Sequence, residues 1–159
     1  MEKNVNMRHQ SILLKSSYDQ FTKNIEALLN HLDPDYAAHL LDDPASVEKY
    51  LNGLSGDTGL MLFSIQHHGD LLNIYGKPRK AKQYVIGNPL IAIQMTRHDI
   101  RAALYAPLRM IAYEGDDKHS HVEYDLPSSL FGQFENAKIL EIAMGLDEKL
   151  LNAITIADQ

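Results

Sequence analysis

The amino-acid sequence predicts a two-layer α/β sandwich of the α+β class, with one sheet of about five strands and helices packed on one face. Three observations carry that expectation. Short apolar runs bounded by turn residues recur at Ile12 to Leu14, Leu60 to Ile65, Tyr84 to Ile86 and Leu108 to Glu114. Segments of helical periodicity separate the earlier runs, and the last run is followed by a hairpin return and a long amphipathic C-terminal stretch. The 159 residues, 45% hydrophobic and 23% charged, suit a single globular domain over 1–159 with a proper core.

Each element has a local cause. After the strand at Ile12 to Leu14, Ser17 is an N-cap candidate and Gln20 stands where a capping box needs it. Phe21, Ile25, Leu28, Leu29 and Leu32 then recur at helical spacing, and Asp33-Pro34 stops the helix because the residue before proline is pushed out of the helical region. Residues 33–59 read as a helical insertion. Tyr36 to Leu41 forms one short helix, Asp43-Pro44 opens a second in cap-then-proline order, and Gly53 suits its end.

Leu60 to Ile65 is a compact apolar run, best read as a strand buried on both faces. Gln66-His67-His68-Gly69 leaves it, and Asp70 can cap a short helix with Leu71, Leu72, Ile74 and Tyr75. Tyr84 to Ile86 is the next strand and closes on Gly87-Asn88-Pro89, where Asn88 is an N-cap and Pro89 a first helical residue. Pro107 starts the strand Leu108 to Glu114. Gly115-Asp116-Asp117-Lys118 is turn chemistry, and His119 to Asp125 returns as the hairpin partner. A C-terminal helix is expected at about 136–154 from Ile139, Leu140, Ile142, Ala143, Leu146, Leu150 and Leu151.

Bulk properties exclude several function classes. A net charge of -6 argues against a general affinity for nucleic acid or an anionic membrane surface. No cysteine is present, so disulfides, thiolate nucleophiles and thiolate metal sites are out. The first residues lack the apolar core of a secretory signal, and no apolar run is long enough to span a bilayer. A cytoplasmic protein is the expectation.

The pieces together, in their order and spacing, resemble the DUF302 family. The shared pattern is an apolar strand ending at Ile65-Gln66-His67, a helix, a strand closing on Gly87-Asn88-Pro89, Ala106-Pro107-Leu108-Arg109 entering a strand that ends at Tyr113-Glu114, and a return through Val122 and Tyr124 to Pro127. The resemblance implies a TATA-binding-protein-like sandwich, a homodimer, and no established activity. It departs from the family pattern at Gln66, where an acidic residue commonly precedes the histidine, and in the extra helices of 33–59.

Candidate site residues fall in two groups. Gln66, His67 and His68 at a strand-to-helix junction, with Asn88 and Arg109, are the ligand-binding candidates. His67 is the catalytic candidate, as an acid or base. His119, His121 and Glu123, alternating on one strand face, have the ligand types for zinc, against the plainer reading of a solvated polar face. No phosphate loop, nucleophile elbow or zinc-protease helix is present. The leading expectation is a non-enzymatic homodimer that binds a small molecule or a protein partner near His67 and Asn88, with no cofactor. An enzyme using His67, or a zinc at His119 and His121, is the rival. A third reading makes the insertion a docking surface through Tyr36, Leu40, Leu41, Val47, Tyr50 and Leu51.

Overall fold

A computed structural model describes all residues, 1–159. It contains one six-stranded sheet in the order β1-β6-β5-β4-β3-β2. The strands are β1 (His9–Leu13), β2 (Asn30–His31), β3 (Met61–Gln66), β4 (Ala81–Gly87), β5 (Leu108–Glu114) and β6 (Ser120–Asp125). All neighbours are antiparallel except β2 and β3.

The sixth strand is the main difference from the sequence reading. α1 (Tyr18–Leu28) does not run on to Leu32; Leu29 is already extended. Asn30 and His31 pair with Met61 and Leu62, and Leu32 donates its N–H to the Leu62 carbonyl. Leu32 had the right period for the helix but is buried elsewhere, because pairing to β3 satisfies backbone groups that a further helical turn would otherwise satisfy. At the other end of α1, Ser17 accepts from Gln20 N–H as expected, yet the Gln20 side chain bonds Asn24 instead of closing the box.

α1 and the long α6 (Ala137–Ala157) lie over one face, on which Tyr84, Ile86, Met110, Ala112, Val122 and Tyr124 join Phe21, Ile25, Ile139, Leu150 and Ile154 in the main core. A smaller cluster of Leu32, Val47, Leu51 and Met61 forms where α2 (Pro44–Leu54) meets the reverse side of β3. α2 is capped by Asp43 as expected but runs straight through Gly53 to Leu54. In the segment expected to dock a partner, Val47 and Leu51 are buried, whereas Leu41 is fully exposed and Leu40 and Tyr50 partly so. No helix is long and apolar enough to cross a membrane.

The remaining helices connect strands. α3 (His68–Leu71) starts two residues before Asp70, so Asp70 lies in its first turn and does not cap it. α4 (Pro89–Thr96) has Asn88 as N-cap and Pro89 first, as the sequence predicts. A 3-10 helix at Ile100–Tyr105 and α5 (Pro127–Phe131) were not foreseen.

Candidate functional site

The antiparallel register of β3 and β4 decides which candidate residues share a site. Met61 pairs with Gly87, and Gln66 pairs with Gln83. Gln66 and His67 therefore leave one end of the sheet while Asn88 leaves the other. Five steps at about 3.3 Å each separate these ends by roughly 16 Å. The expected grouping of His67 with Asn88 does not form. Arg109 pairs with Val85, nearer the Asn88 end, but it is exposed on the helix-free face without a carboxylate partner.

At the Asn88 end the chain builds a cleft of about 280 Å³. Its walls are made by Phe63, Pro89, Ile91, Ala92, Pro107 and Tyr36, over a floor that includes Gly87, Met95 and Phe131. Phe63 shares the reverse side with Met61, two residues before it, and the register then slips between Leu62 and Ser64, so that Ile65 packs against the main core. Gly87 holds the floor down. A Cβ there would stand 3.3 Å from Pro107 Cβ and 3.5 Å from Phe63 Cε2, so glycine lets these two rings approach. Tyr36 comes from the 3-10 helix Pro34–His39, so the segment after α1 closes one side.

Asn88 is buried, and its polar atoms are spent inside the fold. Its Oδ1 accepts from Leu90 N–H at 2.9 Å, and its Nδ2 donates to Ser55 Oγ at 3.1 Å and to the Gly59 carbonyl at 2.9 Å. It caps α4 and ties the segment after α2 to the sheet. Every buried side-chain polar atom in the protein has a partner, so none is left to point into the cleft. The cleft is an apolar cavity with no charged wall.

The histidine end is a surface. His67 is the N-cap residue of α3 without a capping bond, half-exposed, with Nδ1 3.3 Å from Asp70 Oδ2. His68 and Gln66 are exposed too. Gly69 explains the motif that follows them: a Cβ would run into the Arg79 carbonyl, because the chain returning to β4 crosses directly over it and Arg79 N–H bonds the Gly69 carbonyl.

The expected metal set does not assemble. β6 begins at Ser120, so His119 belongs to the turn after Lys118 (φ 67°) and the strand alternation does not reach it. His121 stacks on Tyr113 at 5.2 Å, with Nε2 3.4 Å from Asp117. Glu123 instead accepts from the Tyr113 hydroxyl at 2.6 Å and contacts His9 Nε2 at 3.0 Å. No group of three or more His, Asp or Glu side chains is placed to hold a metal ion. The Tyr113 bond holds the Glu123 carboxyl below its ordinary value, with His9 adding to it, and the tyrosine is pushed up to about 12. His9 and Phe63 were not foreseen. His9 carries no sequence signal, since only the pairing of β1 with β6 brings it to those carboxylates; nothing in the apolar run Leu60 to Ile65 marks Phe63 as the residue that meets Gly87 and Pro107.

A search of curated proteins finds no match to this chain. Among solved structures, the chain is similar to an uncharacterised conserved DUF302 protein from Bacillus stearothermophilus. The TM-score is 0.66 at 12% identity, over 94% of this chain and 97% of that one, a likeness of fold. A family model for the domain of unknown function DUF302 matches residues 36–157, which takes in α2 and all later elements. The chain belongs to the DUF302 family.

Proposed function

We propose that this DUF302 domain is a non-enzymatic, cytoplasmic homodimer that binds a small, uncharged, apolar molecule in the cleft between Phe63, Pro107 and α4. The observation that carries the reading is the cleft itself. It has room for a small ligand, its walls are apolar, and the one conspicuous polar residue beside it, Asn88, is fully engaged in the fold. A charged ligand would lose its hydration there and meet no side chain of opposite charge. The dimer part is supported by the family resemblance and by the helix-free side of β1, β6, β5 and β4, where Leu13 is exposed and Val85, Ile111 and Tyr113 are only half-buried. The absence of cysteine is compatible with a reducing compartment.

Titration with the uncharged fluorophore N-phenyl-1-naphthylamine tests the cleft. Saturable one-to-one binding by native protein is expected, lost in Ala92→Phe, which fills the cleft from α4 without altering the sheet. Binding that survives Ala92→Phe, or no binding by the native protein, defeats the ligand reading. Light scattering of the eluted protein should give twice the chain mass; a monomer rejects the dimer.

A further inference from the structure

β1 is an edge strand, and its register explains an unusual contact. The Leu126 N–H donates to the Arg8 carbonyl at 2.8 Å and the Leu14 N–H to the Ser120 carbonyl at 2.9 Å. The alternation of an antiparallel ladder then places Gln10 and Ile12 at hydrogen-bonded pairs with Tyr124 and Val122. His9, Ser11 and Leu13 fall at the other pairs, where opposing Cα atoms approach to about 4.5 Å and side chains meet. His9 stands opposite Asp125 and diagonal to Glu123. Its Nδ1 is 2.8 Å from Asp125 Oδ1 and its Nε2 is 3.0 Å from Glu123 Oε2.

A neutral imidazole has one N–H and one lone pair. Two carboxylates, one on each ring nitrogen, are both satisfied only when both nitrogens carry protons. In the neutral ring one carboxylate would face a lone pair. The other groups around the ring cannot take over. Ser11 Oγ lies 3.4 Å from Glu123, and the Tyr113 hydroxyl occupies the second Glu123 oxygen. The Asp117–His121 pair is self-contained beyond Tyr113, and Arg109, on the same side of β5, pairs with neither carboxylate. His9 is therefore the sole cation bridging two anions of β6 from β1.

We propose that His9 is a pH-operated latch, which in its protonated form fastens the edge strand β1 to β6 and on losing its proton loosens that edge. Opening would bare the backbone groups of Val122 and Tyr124, a strand edge open to pairing with another strand. The bonds to Asp125 first, and to Glu123 second, raise the His9 ring above its ordinary 6.5. A raised value means that the fastening is fully present below 6.5 and is lost as pH rises through the higher folded value. This latch stands independently of the cleft.

Amide hydrogen exchange read by NMR, with intrinsic rates divided out, tests it between about pH 6 and pH 9. Protection of the Gln10 and Ile12 amides should fall about two- to fivefold relative to α6 amides such as Ala143, the ratio a cross-strand ion pair is worth. His9→Gln should hold constant relative protection over that range, and Asp125→Asn should lower the midpoint of the His9 ring titration. A wild-type strand that loses protection in parallel with His9→Gln, or a His9 ring titrating at or below 6.5, overturns the proposal.

Discussion

Gly87-Asn88-Pro89 and Gln66-His67-His68 stand at opposite ends of the β3–β4 pair, and the fold treats them oppositely. Gly87-Asn88-Pro89 is buried into a corner where backbone and side chains are mutually fixed: a glycine that admits two rings, an amide with three bonds, a capped helix. Gln66-His67-His68 is left in solvent, and beyond it Leu71, Ile74 and Tyr75 stay exposed. The difference teaches that a conspicuous motif reports different physics by location. At the buried end residue identity is set by packing and polar satisfaction, so little freedom remains for chemistry in Asn88 itself. At the exposed end identity is only weakly constrained, because Gln66, His67 and His68 all stand in solvent.

The sharpest way to break this contrast is Asn88→Ala. It removes the α4 cap and strands the Gly59 carbonyl, for an expected loss of about 3 kcal/mol in urea unfolding. A change below about 1 kcal/mol would mean that water replaces the amide readily and that the corner is looser than its hydrogen bonds suggest.

How much was legible follows the same division. Signals confined to neighbouring residues were read well: the Ser17, Asp43 and Asn88 caps, the Pro89 helix start, and the β5–β6 hairpin at Gly115 to Lys118. Where a distant partner decides, local signals misled. Leu32 fits the period of α1 but pairs with β3, and the bulge between Leu62 and Ser64 breaks the alternation, so that Ile65 returns to the main core out of step with Met61 and Phe63. The site suffered more than the fold, because a site is a convergence. The end-to-end register that parts His67 from Asn88, and the β1–β6 register that joins His9 to Glu123, are properties of pairing that neither strand carries alone.

Tyr113 lies between the two extremes. It pairs with Ala81 at the histidine end, yet it is half-buried and donates to Glu123. Tyr113→Phe should cost about 1 kcal/mol at neutral pH, less than a buried charged bond because the pair is partly wet. The bond needs an ionised Glu123 and a protonated Tyr113. The Glu123 contribution is present above its unfolded 4.5 and lost as pH falls through the depressed folded value. The Tyr113 contribution is present below its unfolded 10.0 and lost as pH rises towards about 12. Wild type and variant should therefore differ most between these limits and converge beyond both. A pH-independent difference would assign the loss to packing.

His67→Ala is expected to do least, and that small effect is the stricter test of the contrast. The ring makes one 3.3 Å contact, to an Asp70 that is itself 78% exposed, and it caps α3 without a side-chain bond. An exposed pair of this kind contributes little after side-chain ordering and salt screening. Stability should stay within about 0.5 kcal/mol of wild type. Binding of the apolar probe should also be unchanged, since His67 stands at the opposite end of β3 from the Phe63–Pro107 cleft. If His67→Ala left the melting temperature alone yet abolished probe binding, the two ends would have to communicate through β3 or across a dimer, and the separation argued from the register would no longer describe the working protein.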